Sequence, residues 1–128
     1  MGGKEIICTD KAPQAIGPYS QGVKAGGLVF FSGQIPLDPV TGMLKGESIA
    51  EQTEQVMLNI AAMLAAAGLG FDDLVKTTIY LADMDDFAVV NEIYGSRFAG
   101  NPPARSTVAV RALPKGAKVE IEVTALAR

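Results

Sequence analysis

Histidine is missing from all 128 residues. Its absence removes the side chain whose ordinary charge change lies closest to neutral pH. A Ser-His-Asp triad, a Cys-His pair, a His-ligated zinc and a histidine general base are therefore excluded, and any chemistry falls to carboxylates, Arg, Lys, Tyr, hydroxyls, backbone groups or water. Tryptophan is missing too, and cysteine occurs once, as Cys8. One thiol cannot close an internal disulfide and fits a reducing compartment; Cys8 is expected to be a small buried apolar residue and not a reactive group. Long hydrophobic runs are also lacking. The greasiest stretch, Val56 to Phe71, carries Asn59 and two glycines and is too short to span a bilayer. No N-terminal segment joins a basic end to an apolar middle and a small-residue cleavage site, so the expected address is cytoplasmic, with no membrane partner. Positive charge is scarce and scattered: 11 Lys and Arg against 14 Asp and Glu leave a net charge of −3. That disfavours nucleic acid as a partner, since its binders carry a basic patch or stripe.

What is present reads as one α+β domain over 1–128. "KEIICT" (4–9) is a short strand candidate. "SQGVKA" (20–25) and "LVFFSGQI" (28–35) flank Gly26-Gly27, a hairpin pattern because glycine accepts the positive φ of a tight turn. "LDPVTG" (37–42) reads as a turn. "SIAEQTEQVMLNIAAMLAAAG" (48–68) is a helix, opened by the capping-box pair Ser48 and Glu51 and closed at Gly68. Its buried stripe is expected to be Ile49, Val56, Ile60, Met63, Leu64 and Ala67, with Glu47, Glu51, Glu54 and Gln55 wet. "LVKTTIYLA" (74–82) is β-branched and reads as a strand, and "DMDDFAVVNEIYGSRF" (83–98) as a helix whose first acids suit its N-terminus. "STVAVRA" (106–112) and "KVEIEVTALA" (118–127) close the chain as strands, the last in strict alternation. The order β-β-β-α-β-α-β-β, with only two helices for six strands, predicts a mixed sheet with both helices on one face and the other face open to water or another subunit.

Alternation assigns faces. In 118–127, Val119, Ile121 and Val123 oppose Glu120, Glu122 and Thr124; in 106–112, Ser106, Val108 and Val110 oppose Thr107, Ala109 and Arg111, with Arg105 entering on the latter side. If the more apolar sets meet the helices, Arg105, Thr107 and Glu120 share the open face. A short turn joins the two strands, which predicts antiparallel neighbours and puts an arginine and a carboxylate within reach of one small molecule. Pro102 and Pro103 stiffen the approach to Arg105, whose planar fork suits a carboxylate or phosphate. Plainer roles are open to each residue: a surface ion pair for Arg105, a solvated strand position for Glu120, an aromatic lid for Tyr19, a strand closure for Ser32. Asp83, Asp85 and Asp86 are better explained as helix caps than as a metal cluster. Lys76 lacks the glycine-rich phosphate cradle that would accompany a Schiff-base lysine.

Five segments together resemble the Rid (YjgF) family, most nearly its enamine/imine deaminases: "AIGPYSQGV" (15–23), "FFSGQIPLDPVTG" (30–42), "GFDDLVKTTIYLADMDDFAVVNEIY" (70–94), "PPARSTVAV" (102–110) and "LPKGAKVEIEVTALA" (113–127). The resemblance implies a chorismate-mutase-like fold and a homotrimer with open sheet faces turned inward and clefts between subunits, to which Phe30, Phe31 and Ile35 would contribute apolar surface. It implies hydrolysis of 2-imino acids such as 2-iminobutanoate and 2-iminopropanoate to 2-oxo acids and ammonia, with no cofactor and no metal. Arg105 would hold the substrate carboxylate, Tyr19 would lie beside the substrate, Ser32 and Gly33 would contact it, and Glu120 would position a water and move protons. Many relatives carry cysteine where this chain has Thr107, whose backbone is still expected to touch substrate. Two other activities are compatible with the same resemblance: a non-catalytic sensor of 2-oxo acids, and the endoribonuclease or translation-inhibitor role in the family's older names, which the acidic charge and absent histidine disfavour.

Overall fold

The strands and helices of the computed structural model, which describes residues 3–128, follow the order expected from the sequence; the reading of 1–128 as one domain starts two residues earlier. They are β1 (Lys4–Ile7), β2 (Gly22–Ala25), β3 (Leu28–Phe31), α1 (Ile49–Ala66), β4 (Leu74–Leu81), α2 (Phe87–Gly95), β5 (Ala104–Ala109) and β6 (Val119–Leu126). The hairpin is as read: Ala25 pairs with Leu28 across Gly26-Gly27, and Gly26 takes the positive φ, 60°. Ser48 accepts a bond from the Glu51 N–H while the Glu51 carboxylate accepts from the Ser48 N–H, both at 3.1 Å. At the other end the N–H groups of Gly68 and Leu69 donate to Ala65 and Leu64 at 3.0 and 2.8 Å, with Gly68 at φ 73°. That pair of bonds is a Schellman closure, and it needs a residue that tolerates the left-handed region.

The face of α1 is more polar inside than the stripe predicts. Gln55, expected in water, is buried, as are Gln52 and Asn59. Gln55 donates to the Asn59 side-chain oxygen at 2.9 Å, and the Asn59 amide donates to the Leu37 carbonyl at 3.0 Å. Gln52 donates to the Gly46 carbonyl and accepts from the Lys118 N–H. A buried amide is stabilising only when its partners are present, and here the partners are loop backbone, so α1 holds the 35–46 loop and the start of β6 in place. Ile49 and Ala67 are only partly buried. Cys8 is exposed, because Ile7 is the inward residue at the end of β1 and the next side chain points away. Helix α2 stops at Gly95, short of the expected Phe98, which still packs edge-on against Phe71.

The sheet order is β1-β2-β3-β6-β4-β5. Only β4 and β5 are parallel; the other neighbours are antiparallel. This corrects the expectation that β5 and β6 pair: β4 lies between them. Helix α2 makes β4-α2-β5 a parallel crossover, which uses up one edge of β4, and the turn after β5 must then step over the end of β4 to reach its other edge. The backbone shows that step, with Val110 donating to Leu81 and Ala82 donating to Lys118 at 2.8 and 3.1 Å. Both helices cover one face. Val119, Ile121, Val123 and Ala125 of β6 and Ile79 and Leu81 of β4 join Val56, Met57, Ile60, Met63 and Leu64 of α1 and Val90 of α2 in one core. The opposite face exposes Ile6, Phe30, Val108 and Leu126. Of the apolar residues expected there, Phe30 is present, whereas Phe31 is buried in the core and Ile35 lines a cavity.

Candidate functional site

Arg105 stands opposite Thr77 in the parallel β4–β5 register, and the Thr77 hydroxyl is hydrogen-bonded at 2.7 Å to the Tyr94 hydroxyl of α2. Arg105 therefore points to the helix side of the sheet. Its guanidinium donates to the Asn91 side-chain oxygen at 2.6 Å and lies 5.5 Å from the Phe87 ring centre and 5.2 Å from that of Tyr94, within cation–π range of both. Burial raises the Tyr94 hydroxyl above its ordinary value, with the Thr77 bond and the Arg105 charge pulling it back. Two residues along, on the same face, the Thr107 hydroxyl oxygen is buried without a hydrogen-bond partner among the described residues. An orphaned hydroxyl of this kind costs about 1–3 kcal/mol, and it shares the wall of a depression with Arg105, Met84 and Phe87.

Glu120 is on the other face. It stands opposite Tyr80 of β4 and reaches into a cavity of about 330 Å³ walled by Tyr19, Gly33, Gln34, Ile35 and Lys115 among others. Desolvation raises its carboxyl above the ordinary value, and the neighbouring Glu122 charge adds to this. Gly33 leaves the Glu120 carboxylate its space: a Cβ would meet the carboxylate head-on and come within 3.1 Å of its carboxyl carbon. Tyr19 is half-exposed; its hydroxyl accepts from the Ile16 N–H at 3.3 Å, across a turn that holds Gly17 at φ 123°. Ser32 braces that turn, its hydroxyl donating to the Ser20 carbonyl at 2.6 Å and its N–H to the Gln21 carbonyl at 2.9 Å.

Within one chain, then, Tyr19, Gly33 and Glu120 form one half of the expected site, with Ser32 behind it, and Arg105 and Thr107 form another half on the opposite face. The expectation that Arg105, Thr107 and Glu120 share the open face is corrected. It rested on the more apolar set of β5 facing the helices, but β5 is an edge strand with five of its six residues exposed, so burial does not select its face. Val108, from the apolar set, is on the open side, 42% exposed. Sequence reasoning also missed Asn91, although its place between Phe87 and Tyr94 at spacings of four and three puts all three on one helix stripe. It missed Gln21 and Gln34, both buried and both in the cavity wall. Lys115 carries a left-handed backbone, φ 59°, without being glycine; the "PKG" turn beside the alternating strand was its visible mark. Of the three acids expected as helix caps, Asp83 caps the 3-10 turn Met84–Asp86 that leads into α2, accepting from the Asp85 N–H at 2.9 Å, whereas Asp86, at the N-cap of α2, makes no side-chain capping bond.

The Gly33–Glu120 contact has a measurable consequence. Gly33→Ala is expected to leave the melting temperature within a few degrees, since the obstructing atoms belong to the end of a mobile side chain, while turning Glu120 away and lowering kcat about tenfold to a hundredfold. Steady-state kinetics beside a thermal melt checks this. Unchanged kcat would argue against a catalytic part for the Glu120 carboxylate in this cavity.

A mixed sheet with both helices on one face and the other left bare is the mark of small α+β proteins that offer a broad sheet surface. Comparison with known proteins gives the lineage: the chain belongs to the Rid (YjgF) family, whose model, described as endoribonuclease L-PSP, matches residues 9–127. The mouse 2-iminobutanoate/2-iminopropanoate deaminase is 48% identical over 123 residues, 96% of this chain and 91% of the relative. Reactive Intermediate Deaminase A, chloroplastic, of Arabidopsis thaliana is 53% identical over 122 residues, 95% of this chain and 65% of the relative. The crystal structure of E. coli TdcF with bound serine superposes with a TM-score of 0.89 at 43% identity, covering 97% of this chain and 99% of that one. A chloroplast relative means that membership does not carry the cytoplasmic expectation with it; no helix among the described residues is long and apolar enough to cross a membrane.

Proposed function

We propose that this chain is a hydrolytic deaminase of reactive 2-imino acids, 2-iminobutanoate and 2-iminopropanoate among them, releasing 2-oxo acids and ammonia. The observation that carries the reading is the state of Arg105: a guanidinium held by one neutral amide and two aromatic faces, with no carboxylate on it among the described residues and most of its donors free. Such a fork is free to accept a substrate carboxylate as a bidentate pair. Relatives named for this deamination at about half identity and a structural neighbour that binds serine, a small amino acid with a free carboxylate, support it.

The chemistry asks little of the protein. A protonated imine is already electrophilic, so the site has to orient it and supply water. Arg105 grips the carboxylate. Glu120 takes a proton from water as the oxygen adds to the imine carbon, giving a carbinolamine. It returns that proton to the nitrogen, and as the C–N bond breaks the carboxylate takes the proton of the carbinolamine hydroxyl, leaving the 2-oxo acid and ammonia; the proton then passes to solvent. A carboxyl raised by burial is suited to giving as well as taking a proton. Tyr19 and Gly33 wall the cavity beside Glu120, and Ser32 holds the Tyr19 turn from behind.

Arg105 and Glu120 lie on opposite faces of one sheet, so this mechanism needs a second copy, and the exposed Ile6, Phe30, Val108 and Leu126 supply apolar surface for a homotrimer with the Arg105 half of one subunit facing the Glu120 half of the next. Coupling the protein to a pyridoxal-phosphate threonine dehydratase, with a carbonyl-trapping reagent to follow the imine, tests the activity. Mixing Arg105→Ala and Glu120→Gln chains after unfolding tests the arrangement. Each mixed ring then carries one cleft with both groups intact, and activity absent from either parent is expected to return. Intact protein without imine hydrolysis would refute the activity; an inactive mixture would refute the shared cleft. The endoribonuclease description of the family model has little footing in this chain, which has a net charge of −3 and no histidine.

A further inference from the structure

The contacts of Arg105 are selective in a way that bears on how the site binds its ligand. Three residues of α2 hold the guanidinium: Phe87, Asn91 and Tyr94. Spaced by four and three positions, they form a single stripe of the helix. None of the three is acidic, though carboxylates abound in the neighbouring sequence: Asp83, Asp85 and Asp86 precede the helix and Glu92 lies within it. Among the described residues, Arg97 and Arg128 do take carboxylate partners, Glu54 at 2.7 Å and Asp73 at 2.9 Å, whereas Arg105 appears in no ion pair.

Holding an arginine with a carboxylate fixes its position but also satisfies its charge. An incoming anion would then have to displace the internal partner or bind beside a like charge. Holding it with an amide oxygen and two ring faces fixes the position and leaves the charge unsatisfied. Only one of its five N–H donors is used by Asn91. The rings restrict the guanidinium plane without competing for the in-plane donors that a carboxylate engages.

We infer that Asn91 is a positioning residue for substrate binding: a neutral anchor that orients the Arg105 fork and keeps its charge available for the carboxylate of the imino acid. This rests on the reading of Arg105 given above and deepens it. It also gives the identity of residue 91 a meaning that packing alone does not. To a purely structural role, aspartate is the mildest substitution, being nearly the same size and still accepting the hydrogen bond. To a charge-sparing role it is the worst, because it creates an internal ion pair in the site where the ligand binds.

The test compares Asn91→Asp, Asn91→Ala and wild type as full-length protein, by steady-state kinetics on dehydratase-generated 2-iminobutanoate and by calorimetric binding of unreactive 2-oxobutanoate. Asn91→Asp is expected to raise KM and the 2-oxobutanoate Kd about thirtyfold, with kcat within about threefold and a melting temperature equal to or above wild type. Asn91→Ala, which frees the fork without neutralising it, is expected to raise KM about threefold to tenfold. The order Asp worse than Ala, with Asp the more stable protein, is the signature. Aspartate equal to wild type, or milder than alanine, would overturn the inference while wild-type turnover and the loss of activity in Arg105→Ala remained. A wild type that neither binds 2-oxobutanoate nor hydrolyses the imine would instead remove the underlying reading. If either variant fails to fold, Asn91→Ser and Asn91→Glu repeat the neutral and charged comparison with the same expected order.

Discussion

Arg105→Ala is expected to release essentially no ammonia from 2-iminobutanoate, with kcat/KM reduced about a thousandfold or more. A bidentate charge-assisted pair in a cleft is worth several kcal/mol, and its loss removes both affinity and orientation of the reacting carbon. Arg105→Lys should recover little of this, because an ammonium keeps the charge but lacks the planar fork and its stacking on Phe87 and Tyr94. The fold should tolerate both changes, since Arg105 is exposed at an edge strand and makes no ion pair among the described residues. Ammonia release measured with a coupled assay, beside a melting curve, checks the pair. Near-normal turnover in both variants would remove Arg105 from the mechanism.

Glu120→Gln is expected to lower kcat about a hundredfold to ten-thousandfold, the usual worth of a positioned acid–base group, while raising stability at neutral pH. The second half follows from burial. Desolvation, helped by Glu122, raises the Glu120 carboxyl above its ordinary value of 4.5, so the folded chain binds this proton more tightly than the unfolded chain does. Ionising the group costs stability as pH rises from the unfolded value through the raised folded value, and no cost remains below the unfolded value. Glutamine cannot ionise. The variant should therefore melt above wild type at pH 7, with the difference vanishing at about pH 4 and below. Wild-type kcat should fall as pH is lowered through the raised folded value, where the base becomes protonated. A melting difference that persisted at acid pH would show that glutamine stabilises by packing and not by charge, and an unchanged kcat would assign water activation to another group.

The two halves of the site were legible to different degrees. The Tyr19, Gly33 and Glu120 half was readable because its residues lie in turns and in a strictly alternating strand, where local rules assign direction: Glu120 alternates with Val119 and Ile121, both fully buried. The Arg105 half was placed on the wrong face. Alternation reports a face only when one side is buried, and β5 is exposed along nearly its whole length. The strand neighbour was misjudged for a related reason, since a short connection favours antiparallel pairing and nothing local records that β4 was already taken on one edge by β5 and on the other by β6. Asn91 and Gln55 were missed because a polar residue on a helix looks solvated until its partner is known, and both partners, the Arg105 guanidinium and the Asn59 amide, become visible only when the chain is folded.

The sequence alone determined the element order, the caps of α1, the glycine turns and the set of chemical groups available, because each depends on residues within a few positions of one another. Tertiary structure decided which strands are neighbours, which face Arg105 occupies, and that the arginine and the glutamate of one chain look in opposite directions. Those outcomes depend on edges and faces claimed by segments distant in sequence, and a two-sided sheet lets the same alternating pattern point either way until a covering layer selects one.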